Sequence, residues 1–367
     1  MSQEVNLTEG EILIHDVSLN VVEATWRAKW LILGLVDKAG NVGLGECSDS
    51  GTPDLVRELV SSLAGRLRGR TIAEIRSDGS MVAGFPGALA NAVDLALSDL
   101  KAKVTGTALD ILPTERYRSR IPLYANINRA ERDRTSAKLA ALGARAVADG
   151  FRAVKLAPFD DTNAEGGLAH LRALREAIGT DVKLMVDAHH KLAIDEQLRI
   201  LPQLEALNVV WLEDPATIDD IDGWKKVAAA TKIPLAGGEQ AKSLEDVELL
   251  LSSGVLSVVL PDARIAGVKG AYEILLRAQE LGIRSSLHNH LGPVTTAASL
   301  HIAAAVPNFD ILEYAYGEVP WRGEILTPEE KIVGASLPVP NGPGLGVNLS
   351  DKARQLLCTE SQKSQVV

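Results

Sequence analysis

The chain has 367 residues, 46% of them apolar, which suits one large or two coupled domains with a sizeable core. Its 10 excess negative charges argue against nucleic acid or an anionic membrane as the main partner. They do not forbid an anionic small molecule, because a bound cation or local basic groups can reverse the field inside a site.

Two widely separated cysteines, Cys47 and Cys358, form no disulfide framework and fit a reducing, cytoplasmic setting. The opening MSQEVNLTEGEILIHD lacks a basic stretch and an apolar core, so no secretory signal is expected. No uninterrupted apolar run approaches the roughly 18 residues that cross a membrane. The polar stretch Thr359–Val367 reads as a frayed tail.

In chain order, Glu11–Val22 and Lys29–Asp37 read as β-rich, and Gly40-Asn41 supplies a hairpin turn into Val42–Glu46. Helical periodicity follows over Pro53–Leu67 and Gly87–Val104, where Leu89, Ala92, Val93, Ala96 and Leu100 recur on one face. This is an α+β unit over residues 1–120.

A different rhythm begins near Ile121. Short apolar strands at Pro122–Asn126, Ala153–Ala157, Lys183–Asp187 and Val209–Glu213 alternate with helices over Arg134–Asp149, Leu168–Ile178 and Glu196–Leu207. Strands at Leu235–Gly238, Val255–Asp262, Arg284–His288 and Ile311–Glu313 continue it, with helices at Ile221–Thr231, Leu244–Ser252, Val268–Leu281 and Thr295–Ala305. Eight such strands predict a (β/α)8 barrel over 121–324 with an irregular last unit. The Pro- and Gly-rich stretch from Pro338 to Gly346 suits a return of 325–367 to the first domain.

Catalytic residues of such barrels sit at the C-terminal strand ends. There the sequence places Lys155, Asp187 followed by His189, Glu213-Asp214, Glu239, Asp262, His288 and Glu313. Asp187, Glu213 and Glu239 are spaced 26 and 26 residues apart, which predicts equal height on adjacent strands. Three converging carboxylates need a cation, and all-oxygen ligation favours Mg²⁺; the bland alternative is three separately solvated acids. Asp262 and His288 end neighbouring strands, so the carboxylate can fix the imidazole tautomer and make His288 a general base. The competing readings are that His288 only packs, or that His290 is the active imidazole.

VDAH (Val186–His189), WLEDP (Trp211–Pro215), GGEQ (Gly237–Gln240) and PDARIAG (Pro261–Gly267) together resemble the enolase superfamily, mandelate racemase subgroup. HNHLGPVTTAASLH (His288–His301), PNFDILEY (Pro307–Tyr314), GLGEC (Gly43–Cys47) and GPGLGV (Gly342–Val347) extend the match over nearly the whole chain. The resemblance implies an α+β capping domain closing over the barrel mouth. It also implies a carboxylate substrate on Mg²⁺, whose α-proton is removed to give an enediolate.

Many racemases of the subgroup carry Lys-x-Lys on the second strand. Here the segment is Lys155-Leu156-Ala157, so the second base is missing. His189, two residues after Asp187, is expected to face the same way on an alternating strand and resembles the acid of galactonate-type dehydratases. The resemblance therefore implies a sugar-acid hydro-lyase. In it His288, oriented by Asp262, removes the C2 proton and His189 protonates the departing 3-hydroxyl. Lys155 adds positive charge, and Glu313 bonds near the substrate carboxylate unless it is a plain rim charge. The alternatives are a racemase or epimerase, with His288 and either Lys155 or His189 as opposed bases, and a non-catalytic metabolite-binding barrel.

Gly106-Thr107-Ala108-Leu109 departs from the family's Gly-x-Pro-Val, and His290 stands where Pro is common. Glu23–Trp30 and Ser48–Thr52 are the expected specificity loops, with Trp26, Arg27, Lys29 and Trp30 either touching substrate or merely packing. His190 and His290 read as rim or supporting residues, and His301 as structural. A homo-oligomer is expected.

Overall fold

The computed structural model describes residues 7–356. Cys358 and the predicted tail lie outside them. The chain opens with an antiparallel sheet, β1 (Asp16–Glu23), β2 (Lys29–Val36) and β3 (Val42–Glu46), in the order β1-β2-β3. Helices α1 (Pro53–Leu67), α2 (Ile72–Ser77) and α3 (Gly87–Thr105) follow. Val56, Val60, Leu63 and Leu67 of α1 pack with Leu31, Leu33 and Leu35 of β2 into one apolar cluster. Thr52 caps α1 and Thr71 with Glu74 forms a capping box on α2, so both helices start where local chemistry answers their free N–H groups. A β-carbon on Gly45 would stand 2.0 Å from the Ala92 carbonyl oxygen, so the GLGEC glycine is what lets α3 lie directly on β3.

The barrel strands are β4 (Arg120–Asn126), β5 (Ala153–Leu156), β6 (Lys183–Asp187), β7 (Val209–Glu213), β8 (Leu235–Gly237), β9 (Leu256–Val259), β10 (Arg284–Leu287) and β11 (Phe309–Ala315). Each pairs in parallel with the next, and β11 returns to β4, closing the barrel. Between them run α4 (Ser136–Ala148), α5 (Ala164–Ile178), α6 (Ile194–Ala206), α7 (Ile221–Ala230), α8 (Leu244–Ser252), α9 (Gly267–Glu280) and α10 (Pro293–Ala305). After β11 the expected irregular unit is a short 3₁₀ turn at Arg322–Glu324. The strands β12 (Leu326–Thr327), β13 (Ser336–Pro338) and β14 (Asn348–Leu349) finish the chain. β13 joins the outer edge of β4 as an extra antiparallel strand. The segment beyond it reaches back to α3, where buried Asp99 accepts the Leu345 N–H at 2.8 Å as well as that of Leu44.

α10 is buried along its entire length and carries a charge at its N-terminus that is not its own. Glu46, the last residue of β3, accepts the N–H groups of Gly292 at 2.7 Å and Thr295 at 2.9 Å. Its carboxylate thus answers orphan donors and the positive end of the helix dipole across the junction of cap and barrel.

His301, in the same helix, is structural as expected. It is buried, and its Nε2–H donates to the Leu345 carbonyl at 3.0 Å. Burial drives its pKa down from 6.5 to about 4. Above pH 6.5 neither native nor unfolded chain protonates this group. Below it the unfolded chain takes a proton that the native site refuses until about pH 4, so stability falls with acid in that window. The loss from pH 7 to pH 5 is about 2 kcal/mol. Unfolding free energies of wild type and His301→Gln, from urea titrations, should accordingly converge by about that amount as pH drops, and parallel curves would refute the assignment.

Candidate active site

Side chains alternate along each strand, so the residue two places after each inner-layer residue opens on the barrel mouth. The inner layer includes Tyr124, Ala153, Met185, Trp211 and, packed against it, Ile311. Two places on stand Asn126, Lys155, Asp187, Glu213 and Glu313, all buried. Asp187 and Glu213 are paired across β6 and β7, as their spacing predicts.

Glu239 reaches the same place by another route. β8 ends at Gly237, and Gly238, at φ +110°, turns the chain so that Glu239 comes from the following turn, correcting the expectation of a third strand position. Equal spacing held because a three-residue strand plus a turn spans what a five-residue strand spans. His189 is a second such correction. It lies beyond the end of β6 with φ +45°, so a turn, not strand alternation, brings its Nε2 to 2.8 Å from Asp187 Oδ2. His190 and Asp214 also hold positive φ, at +53° and +43°. Strained backbone of this kind persists where surrounding structure fixes it and clusters at functional sites.

One oxygen each of Asp187, Glu213 and Glu239 lie within 4.8 Å of one another. Asp187 Oδ2 and Glu239 Oε2 are shielded from solvent with no donor aligned on them, although His189 Nε2 and His288 Nε2 stand 2.8 and 3.0 Å away. Crowded carboxylates with unanswered buried oxygens fit a hard divalent cation. Asp262, His288 and His290 also come close enough to hold an ion. Both oxygens of Asp262 are spent, however, on the Arg264 N–H at 2.7 Å and on His288 Nδ1 at 3.0 Å.

Lys155 sits fully buried among acids, with Nζ 2.5 Å from Glu213, 3.0 Å from Glu313 and 3.5 Å from Asp187. Burial alone would lower its pKa, but the Glu213 and Glu313 charges raise it well above the usual lysine value. Glu313 is no rim charge. It also accepts from Asn126 and from the Asn289 N–H at 2.8 Å. Burial pushes Glu213 up to about 8 against the pull of Lys155. Asp187, equally buried, is nevertheless held below the ordinary carboxylate range by His189 and Lys155.

Two imidazoles face the trio. His288 donates from Nδ1 to Asp262 and points Nε2 at Glu239; burial lowers its pKa, but Glu239 and Glu313 bring it up to about 10. His189 donates from Nδ1 to Asp160 at 2.6 Å and, against burial, is raised to about 11 by Asp187 and Asp160. His290 stacks 4.4 Å from His288 and bonds Asp49 at 3.1 Å, while His190 accepts from Gln240 at 2.9 Å. Burial and the neighbouring His288 charge push His290 well below the usual histidine value.

Asp160, Asn126, Arg129 and Asp49 were not singled out in the sequence. Asn126 was findable, since it ends the first barrel strand. Asp160 sits in a loop, where nothing but an acidic pair with Asp161 marks it. Of the proposed loop contacts, Trp30 is a packing residue, 1% exposed and edge-on to Trp321 at 5.8 Å. Lys29 pairs with Glu23 at 3.1 Å, whereas Arg27 lines the mouth. The inner cavity of about 280 Å³ is bounded by Asp187, Glu239, His288, His189 and Arg129. A larger cavity of about 600 Å³ lies between β1–β3 and the closing segment and includes none of these residues.

A closed parallel barrel with a separate antiparallel cap, and an acidic trio at its strand ends, defines a class that sequence comparison identifies. Residues 138–353 match the family model described as enolase C-terminal domain-like, and the chain belongs to that family. Among curated relatives, a D-gluconate dehydratase of Thermoproteus tenax is 28% identical over 351 residues, covering 90% of this chain and 70% of the relative. A D-galactarolactone cycloisomerase of Agrobacterium fabrum is 28% identical over 336 residues, 86% of this chain and 87% of the relative. The crystal structure of a mandelate racemase/muconate lactonizing enzyme-like protein from Rubrobacter xylanophilus superposes with a TM-score of 0.81. It is 24% identical, and the match covers 93% of this chain and 96% of that one, a likeness of fold. Enzymes of the superfamily bind a divalent metal, in keeping with the trio. No helix among the described residues is long and apolar enough to cross a membrane.

Proposed function

We propose that the chain is a Mg²⁺-dependent dehydratase of a sugar acid. The reading is carried by one observation: two imidazoles, each anchored through Nδ1 to its own carboxylate, present Nε2 to opposite members of the acidic trio. Names of relatives such as the D-gluconate dehydratase support the reaction class.

Asp187, Glu213 and Glu239 would hold the ion, which supplies positive charge for the enediolate oxygens. His288 Nε2 takes the C2 proton, and the electrons of the broken C–H bond move toward the carboxylate. Their return expels the 3-hydroxyl, which takes a proton from His189 and leaves as water. The resulting enol tautomerises to a 2-keto-3-deoxy acid, with one proton added at C3. Asp262 and Asp160 fix which nitrogen of each ring carries hydrogen. Lys155 and Glu313 keep the floor of the site charged and ordered, and residues 7–120, with the segment around Leu345 that returns to α3, cap it. Neutralisation of Glu239 relaxes the charge that otherwise keeps His288 protonated, which a base requires.

Racemisation is the second reading, since two flanking imidazoles can also exchange one proton. Of the two candidate opposing bases, His189 is favoured over Lys155, whose Nζ is engaged by Asp187, Glu213 and Glu313. A screen of aldonic and aldaric acids with Mg²⁺, read as semicarbazone of the 2-keto acid, tests the proposal. Product from one or a few acids is expected, lost with EDTA and restored by Mg²⁺. Inversion at C2 with deuterium uptake and no keto acid would instead establish the racemase.

A further inference from the structure

The inner cavity opens, past Arg27, His189 and Glu239, into an outer chamber of about 420 Å³. The two chambers share Arg27, His189 and Glu239, so a sugar acid seated on the trio can extend its tail past His189 into the outer one.

The outer chamber is lined by Arg27, Arg132, Arg134 and Lys191, against Asp160, Asp161 and Glu239. These acids have other business. Glu239 belongs to the trio, Asp160 serves His189, and Arg134 lies 3.4 Å from both Asp160 and Asp161. Arg27 has only the already shared Asp160, at 3.9 Å. Arg132 and Lys191 have no acidic partner among the described residues. Instead Arg132 lies over the ring of Trp26, 5.7 Å from its centroid, and Trp26 is itself 52% exposed. In a chain of net charge −10 this surplus of positive charge is local. A polyol tail needs hydrogen bonds and no counter-charge, whereas guanidinium and ammonium groups without an acidic partner suit binding of an oxyanion.

From this we infer that the substrate carries a second anionic group at the end remote from its reacting carboxylate, received by Arg27, Arg132 and Lys191. The inference takes the dehydratase reading for which carboxylate sits on the trio. A terminal carboxylate (an aldaric acid) and a terminal phosphate (a phosphorylated aldonic acid) share this chemistry.

Binding separates the question from turnover. The full-length His288→Asn protein, loaded with Mg²⁺, is titrated calorimetrically with two matched series. One compares D-galactonate with galactarate; the other compares D-gluconate with D-glucarate and 6-phospho-D-gluconate. In at least one series the doubly anionic member should bind tenfold or more tightly than its monoacid, and the second series tells carboxylate from phosphate. Adding Arg132→Gln and Lys191→Gln, both at exposed positions, should bring that ratio below threefold. Equal affinities within both series, no binding by any acid, or a ratio that survives the double substitution overturns the inference. Failure of elimination appears only in the keto-acid assay and leaves the binding result to be read alone.

Discussion

His288→Asn is expected to lower kcat for keto-acid formation by about 10³–10⁴-fold and to abolish deuterium exchange at C2, with KM changed by no more than about threefold. The ring nitrogen facing Glu239 stands 3.0 Å from the trio and can lose its proton when that trio is neutralised. Asp262→Asn gives a sharper test, because it keeps size and burial while changing the hydrogen-bond sense. The carboxylate accepts from Nδ1, leaving Nε2 with a lone pair. An amide NH₂ in its place favours an accepting Nδ1, which moves the hydrogen to Nε2 and blinds the base. A loss of about 10²-fold or more in kcat, with an unchanged melting temperature, is expected. Steady-state kinetics beside exchange measured by NMR decide it; exchange at the wild-type rate in His288→Asn would remove the base assignment.

The second large effect separates proton removal from elimination. With His189→Asn, keto-acid formation should fall by about 10²–10³-fold while C2 exchange with D₂O continues, because the enediolate still forms but its 3-hydroxyl leaves without a proton. Asp160→Asn should follow in the same direction. Without the carboxylate, His189 loses a partner that keeps it cationic, and a neutral imidazole is a poor acid. Loss of exchange together with elimination would place His189 on the proton-removal step and favour the two-base racemase.

What the sequence disclosed follows from periodicity. Eight apolar strands, each followed by an amphipathic helix, leave few alternatives to a closed barrel, and strand alternation carries Lys155, Asp187, Glu213 and Glu313 to the mouth. Glu239 and His189 reach the mouth too, but strand alternation does not bring them there. Both stand on turns whose positive φ, at Gly238 and at His189 itself, redirects the chain. Turn geometry of that kind leaves no period to read. Asp160 was hidden because its role exists only in relation to His189, 29 residues away. For Trp30 the sequence left substrate contact and packing equally open. Its loop reaches the mouth, but the strand turns that one ring inward against Trp321, and a single side chain's facing at a strand start is beyond pattern.

The contact of Glu46 with α10 bears on how such enzymes can be recombined. A barrel grafted beneath a foreign cap would leave the N–H groups of Gly292 and Thr295 without their acceptor, in a helix buried along its whole length. An acidic residue at the end of the third strand therefore travels with the barrel as much as with the sheet that carries it. Chimaeras cut between residues 46 and 292 inherit the pair only if both parents supply it.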